Sequence, residues 1–126
     1  EGTRFTRAKH HSQHSPYRHL LKPKAGALAL ALDVLGDRFD ALLDVTIVYP
    51  AGAPDFWQFL CGNVPRIVVR AQRIPIPTEL LRGDYAHDQT YRRSFQRWLQ
   101  QLWSEKDRQI DGLLAADGEA THSRAA

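Results

Sequence analysis

The sequence predicts an α/β fold, and three features carry the prediction. Two runs rich in β-branched residues, 42–49 and 66–76, read as strands. An Ala/Leu run over 24–35 reads as a helix, and a much longer stretch from about His87 to Ala115 repeats its apolar residues at helical intervals. At 126 residues the chain fits one modest domain able to bury roughly two-thirds of its unfolded surface. Its 43% hydrophobic and 25% charged content is ordinary for a globular protein and excludes wholesale disorder.

Taken in order, residues 5–22 mix Thr, Ser, Gln, His and basic residues around Pro16 without periodic apolar spacing, which predicts a long exposed loop. Pro23 then sits where a first helical turn tolerates it. Leu28, Leu32 and Leu35 follow at i, i+4 and i+7, so the spacing predicts a buried helix over 24–35 with Gly36 near its C-cap. LLDVTIVY, 42–49, ends at Pro50 in the turn-forming PAGAP and reads as a buried strand. Residues 56–60 suggest a short helical turn. RIVVRAQRIPI, 66–76, alternates in part, as a strand with one face nearer solvent does, and Pro75 and Pro77 end it. In the last helix Tyr91, Phe95, Trp98, Leu102, Ile110 and Leu113 share one face. Beyond Asp117 the composition turns small and polar, so 116–126 is expected to be a flexible tail.

The net charge of +3 is unevenly spread. Residues 1–32 carry six basic side chains against Glu1 alone, a net +5, and the remainder carries −2. The one cysteine, Cys61, excludes an internal disulfide and a thiolate zinc cluster, favours a reducing, cytoplasm-facing setting, and reads as a half-buried thiol. No run approaches the roughly 18 apolar residues of a membrane-spanning helix. The chain lacks methionine even at position 1 and opens inside a motif, which reads as a fragment.

That motif is Glu1-Gly2-Thr3-Arg4, followed by the basic loop and by Lys24-Ala25-Gly26. A guanidinium and an ammonium converging on one point grip a phosphate, the first bidentately and the second as a point charge. A helix start near Lys24 adds free amide donors and the positive end of a dipole. Arg4 and Lys24 are therefore the candidate phosphate-binding pair. Arg7, Lys9, Arg18 and Lys22 are candidate membrane or headgroup contacts, since each basic residue near an anionic surface gains about 1 kcal/mol without a pocket.

EGTRFTRAKH, SPYRHLLKPKAG and LLDVTIVYP, in that order and spacing, resemble the second half of the glycerolipid acyltransferase family, which acylates lysophosphatidic acid. EGTR resembles its third motif, FPEGTR, and DVTIVYP its fourth, a strand ending in proline that lines the acyl-chain side of the site. GNVPRIVVRAQRIPIPTE and FQRWLQQLWSEKDRQI are similar to the branch holding the lysocardiolipin and lysophosphatidylinositol acyltransferases and their bacterial relatives. The resemblance implies that 1–115 is the C-terminal half of an acyltransferase domain, the C-terminal portion of a mixed sheet flanked by helices. It implies acyl transfer from acyl-CoA or acyl carrier protein, as donor substrate and with no cofactor, to a lysophospholipid hydroxyl. Glu1 and Thr3 would shape the turn around the phosphate, and Gly2 would let the backbone approach.

The family's general base belongs to a His-x4-Asp motif. None of His10, His11, His14, His19, His87 and His122 has aspartate five positions on, so no catalytic residue is expected in this chain, which alone should be inert. The resemblance further implies a parent on the cytoplasmic face of a membrane. An isolated chain lacking the N-terminal half should expose strand edges and self-associate.

Other readings weigh less. The loop histidines could bind metal as a helical pair, but the loop is not expected to be helical and no acid lies between Gly2 and Leu32, so no metal is expected. Phe5, Tyr17, Trp98 and Trp103 are read as packing residues before lipid contacts. Asp33 and Asp44, at element edges, receive no role. The alternative function is a non-catalytic basic module that binds membrane or nucleic acid. Nucleic acid is disfavoured because the basic run lacks interleaved aromatics for stacking.

Overall fold

A computed structural model describes residues 5–124. The first element, α1 (Arg7–Ser12), replaces part of the loop expected over 5–22. Thr6 is extended and its side-chain oxygen accepts the Lys9 amide at 3.2 Å, capping a run that contains neither Gly nor Pro. One short turn of helix results, and His14, at φ 47°, turns the chain out of it. The rest of this segment is exposed only in part: His14, Pro16, Arg18 and Lys22 face solvent, whereas Tyr17, Leu20 and Leu21 are buried.

Helix α2 (Ala25–Leu35) starts and ends where the sequence places it, with Lys24 at the N-cap and Gly36 at the C-cap. Pro23 precedes the cap instead of occupying the first turn. Ala29 and Leu32 are buried while Leu30 and Val34 are 63% and 65% exposed, so only one side is covered.

Strands β1 (Leu42–Val48) and β2 (Val68–Ile74) pair antiparallel, from Leu42 opposite Ile74 to Val48 opposite Val68. Side chains on a strand alternate between faces. Thr46 and Val48 are buried, whereas Leu43, Val45 and Ile47 are 67%, 44% and 53% exposed. The expectation that β1 is buried thus holds for one face. The run is apolar on both faces, and composition cannot say which is covered when only one layer packs on the sheet. Between the strands the chain makes the short helix α3 (Phe56–Leu60).

The long helix α4 (Gln89–Arg124) packs against β1 and α2. It continues through 116–124. Its apolar face serves two clusters. Tyr91, Phe95 and Leu99 meet Ala29 and Leu32 of α2 and Leu80, and Ile110 meets Tyr17, Leu20 and Val48. Trp103 packs against both clusters, and its indole N–H donates to the Leu21 carbonyl at 3.1 Å. Trp98 and Trp103 are thus packing residues, as is Tyr17. Tyr91 lies directly over Gly83, where an added Cβ would fall 1.8 Å from its ring, and its hydroxyl donates to the Leu80 carbonyl at 2.8 Å.

Candidate functional site

The basic segment is bound to α4 by two aspartates one helical turn apart. Asp107 accepts the Arg18 and His19 backbone amides, one on each carboxylate oxygen, both at 2.8 Å. Asp111 accepts from His19 Nε2 at 2.7 Å and from the Arg18 guanidinium at 3.3 Å. The His19 hydrogen bond, with smaller help from the Arg18 charge, holds the Asp111 carboxyl below the usual carboxylate range. Within the segment His10 Nε2 donates to the Tyr17 carbonyl at 2.6 Å and Ser15 Oγ to the Leu20 carbonyl at 2.7 Å. Burial, then the charge on Asp107, push the Tyr17 phenol above its usual range.

This anchoring opens a cleft of about 730 Å³ between the basic segment and the end of β1. Basic and imidazole side chains, Arg7, His10, His11, Arg18 and His19, line it together with the apolar Leu20, Ile47, Val48, Ile110 and Leu114. Through Phe5, Tyr49 and Ala53 it adjoins an apolar hollow of about 450 Å³ bordered by Phe56 and Phe59. A cleft lined by cationic and apolar groups together suits an anionic amphiphile: the charged groups take the headgroup and the apolar ones the chain.

Of the residues singled out from sequence, Glu1, Gly2, Thr3 and Arg4 lie outside the described residues; Phe5, next in the chain, lies in the cleft wall. Arg7 and Arg18 line the cleft. Lys9 lies on the exposed surface of α1. Lys22 borders a second cleft of about 940 Å³ with Tyr17, Pro23, Tyr85, Ser104 and Arg108. Lys24 is exposed at the α2 N-terminus, where no described side chain caps the amides. His10 and His19 are hydrogen-bonded to a carbonyl and a carboxylate, and among the described residues no group of His, Cys, Asp and Glu could hold a metal ion.

Two readings are corrected. Cys61 is exposed, because it caps the C-terminus of α3 on the surface. Asp44 is not a solvated acid at a strand edge: it is 10% exposed and paired with Lys106 of α4, whose ammonium also donates to the Val45 carbonyl at 3.1 Å. Sequence reading missed Asp107 and Asp111 because their partners lie some ninety positions away. Their only sequence signal is the i, i+4 spacing of two acids on α4.

Fold and cleft together define a small α/β unit that presents a cationic, apolar-walled site beside a strand end. Among known proteins the chain is similar to lysocardiolipin acyltransferase 1 of Gallus gallus, 30% identical over 98 residues that cover 75% of this chain and 24% of that protein. It is similar too to 1-acyl-sn-glycerol-3-phosphate acyltransferase epsilon of Mus musculus, 27% identical over 100 residues, 72% of this chain and 25% of that one. The resemblance carried by the motif blocks is thereby supported: over about three-quarters of its length the chain is distantly similar to these acyltransferases. It spans about a quarter of the length of these curated relatives. No family model matches the chain, and no solved structure matches it. No described helix is long and apolar enough to cross a membrane.

Proposed function

We propose that this chain is the acceptor-binding portion of a lysophospholipid acyltransferase, the C-terminal half of its catalytic domain, and that it grips the acceptor's phosphate. The observation that carries the reading is the cleft: basic and apolar side chains line it together at the end of β1, in a chain similar to proteins named as acyltransferases of lipids. Arg4 and Lys24 hold the phosphate, Lys24 from the N-terminus of α2 and not from the lining of this cleft, Glu1, Gly2 and Thr3 shape the turn, and Arg7, Lys9, Arg18 and Lys22 face the headgroup region of a membrane. The acceptor is lysophosphatidic acid or a larger lysophospholipid such as lysocardiolipin. The donor is a thioester of CoA or acyl carrier protein, and no cofactor takes part.

The reaction assigns this chain a binding role. The acceptor hydroxyl loses its proton to a histidine of a His-x4-Asp segment outside these residues and attacks the thioester carbonyl. The C–S bond breaks, an ester bond forms, and the proton passes to the leaving thiolate. Fixing the phosphate orients that hydroxyl, which is where a distant grip lowers the barrier. The uncovered face of the sheet, Leu43, Val45 and Ile47, is where the other half of the domain packs, and the isolated chain self-associates there.

The test is thiol release from acyl-CoA with lysophosphatidic acid, comparing a protein extended upstream, its Arg4→Ala and Lys24→Ala variants, and this chain alone. The extended protein turns over, Arg4→Ala lowers kcat/KM at least tenfold, on the order of 1.4 kcal/mol, and the chain alone is silent. An Arg4→Ala variant with unchanged kcat/KM, or an extended protein inert on every lysophospholipid tried, refutes the reading.

A further inference from the structure

Helix α3 breaks the rule that large apolar side chains find cover. Of its five residues, Phe56, Trp57, Phe59 and Leu60 are 71%, 71%, 55% and 58% exposed, and the fifth, Gln58, is occupied in capping. The exposure is built in. Asp55 accepts the Gln58 amide at 2.7 Å while the Gln58 side chain accepts the Asp55 amide at 3.0 Å, a closed capping box. Behind it Cys61 N–H bonds back to the Trp57 carbonyl at 2.8 Å, and Gly52 and Gly62, at φ 98° and 70°, make the turns on either side. The polar groups of the turn satisfy one another, and its apolar side chains are left pointing outward from the excursion between β1 and β2.

What lies beside this knob names its partner. Phe56 and Phe59 border the hollow that runs through Phe5, Tyr49 and Ala53 into the cleft walled by Arg7 and Arg18. Of the basic residues between 5 and 32, Arg7 and Arg18 reach this cleft, Arg18 while also paired with Asp111. An exposed aromatic knob next to basic side chains is complementary to the headgroup layer of an anionic bilayer: rings enter the interfacial region while basic side chains meet lipid phosphates.

We infer that α3 is a membrane-docking knob, in which Phe56, Trp57, Phe59 and Leu60 insert into the interface of an anionic bilayer beside the basic mouth of the cleft. This docking rests on the membrane-facing role proposed above for Arg7 and Arg18 and adds α3 to it; it is measured without substrate or turnover, so its failure and that of the acyl-transfer reading are distinguishable.

The sole cysteine supplies the assay, because Cys61 is exposed at the C-cap of α3. The full chain carrying a polarity-sensitive fluorophore on Cys61 is mixed with vesicles of phosphatidylcholine alone or with phosphatidylglycerol added. Expected are a blue shift with anionic vesicles, quenching by nitroxides placed shallow in the bilayer, and at least a tenfold loss of vesicle affinity in Phe56→Ser/Trp57→Ser/Phe59→Ser. These positions lie outside both core clusters, so the variant keeps its circular dichroism. Arg7→Gln/Arg18→Gln loses the preference for anionic vesicles. The inference is overturned if the labelled chain shows no shift with either vesicle, or if the triple variant binds as tightly as the parent. It is equally overturned if the shift appears without vesicles and rises with protein concentration, which assigns the knob to a second copy of this chain.

Discussion

Replacing Lys106 by methionine should loosen the sheet from α4, and the size of the effect can be worked out from its surroundings. The Lys106 side chain is 17% exposed and that of its partner Asp44 10%. With the ammonium gone, the Asp44 carboxylate keeps the Gln72 amide, at 3.4 Å, among the described residues. Removing one partner of a fully buried pair costs 3–5 kcal/mol, roughly, because a charge stays behind without compensation. Both groups here retain some access to water, and methionine preserves the packing of the lysine stem, so about 2 kcal/mol is expected. Asp44→Leu should cost a similar amount. The double variant should lose less than the sum of the singles by roughly 1–2 kcal/mol, since it strands no charge. Urea unfolding followed by far-ultraviolet circular dichroism measures all four proteins, and in a chain of this size the Lys106→Met loss corresponds to a fall in Tm of about 8 °C. Singles that add within about 0.5 kcal/mol would show that the pair is an incidental surface contact and that apolar packing alone orients β1.

Two further outcomes follow from the same geometry. Gly83→Ala drives a methyl into the Tyr91 ring, a part of the main core, and should cost about 3 kcal/mol in urea unfolding, whereas Gly26→Ala, with open space around its Cβ position, should not destabilise. Asp111 has its carboxyl held low in the folded chain, so its contribution is complete above the ordinary carboxylate range and is lost as the pH falls through the depressed folded value. The stability gap between the wild type and Asp111→Asn should therefore be full at neutral pH and close in acid; a gap that ignores pH refutes the role given to the carboxylate.

The elements were legible where local pattern and packing agree. The face of Tyr91, Phe95, Trp98 and Leu102 is the face buried in α4, and the Ala/Leu run ends at Gly36 as read. Legibility failed where a single side chain decides the backbone: Thr6 caps a helical turn in a polar segment that carries no periodicity. It failed too where layers decide burial. Leu43, Val45 and Ile47 are as apolar as a covered face would be, and only the absence of a second described layer leaves them in solvent. At the candidate site, the basic character of residues 5–24 could be counted from sequence, but not the cleft. That depends on Asp107 and Asp111 drawing the segment onto α4, a contact between residues some ninety positions apart.

The way α3 is held has a consequence for how such proteins diversify. The turn supplies its own caps, draws on neither core cluster, and joins the frame through two glycine-bearing corners. Its outward side chains can therefore be exchanged wholesale, as a cassette, at little cost to the stability of the rest. Selection can tune what this corner touches, or how deeply, while the strands, the long helix and the charged mouth beside them stay unchanged.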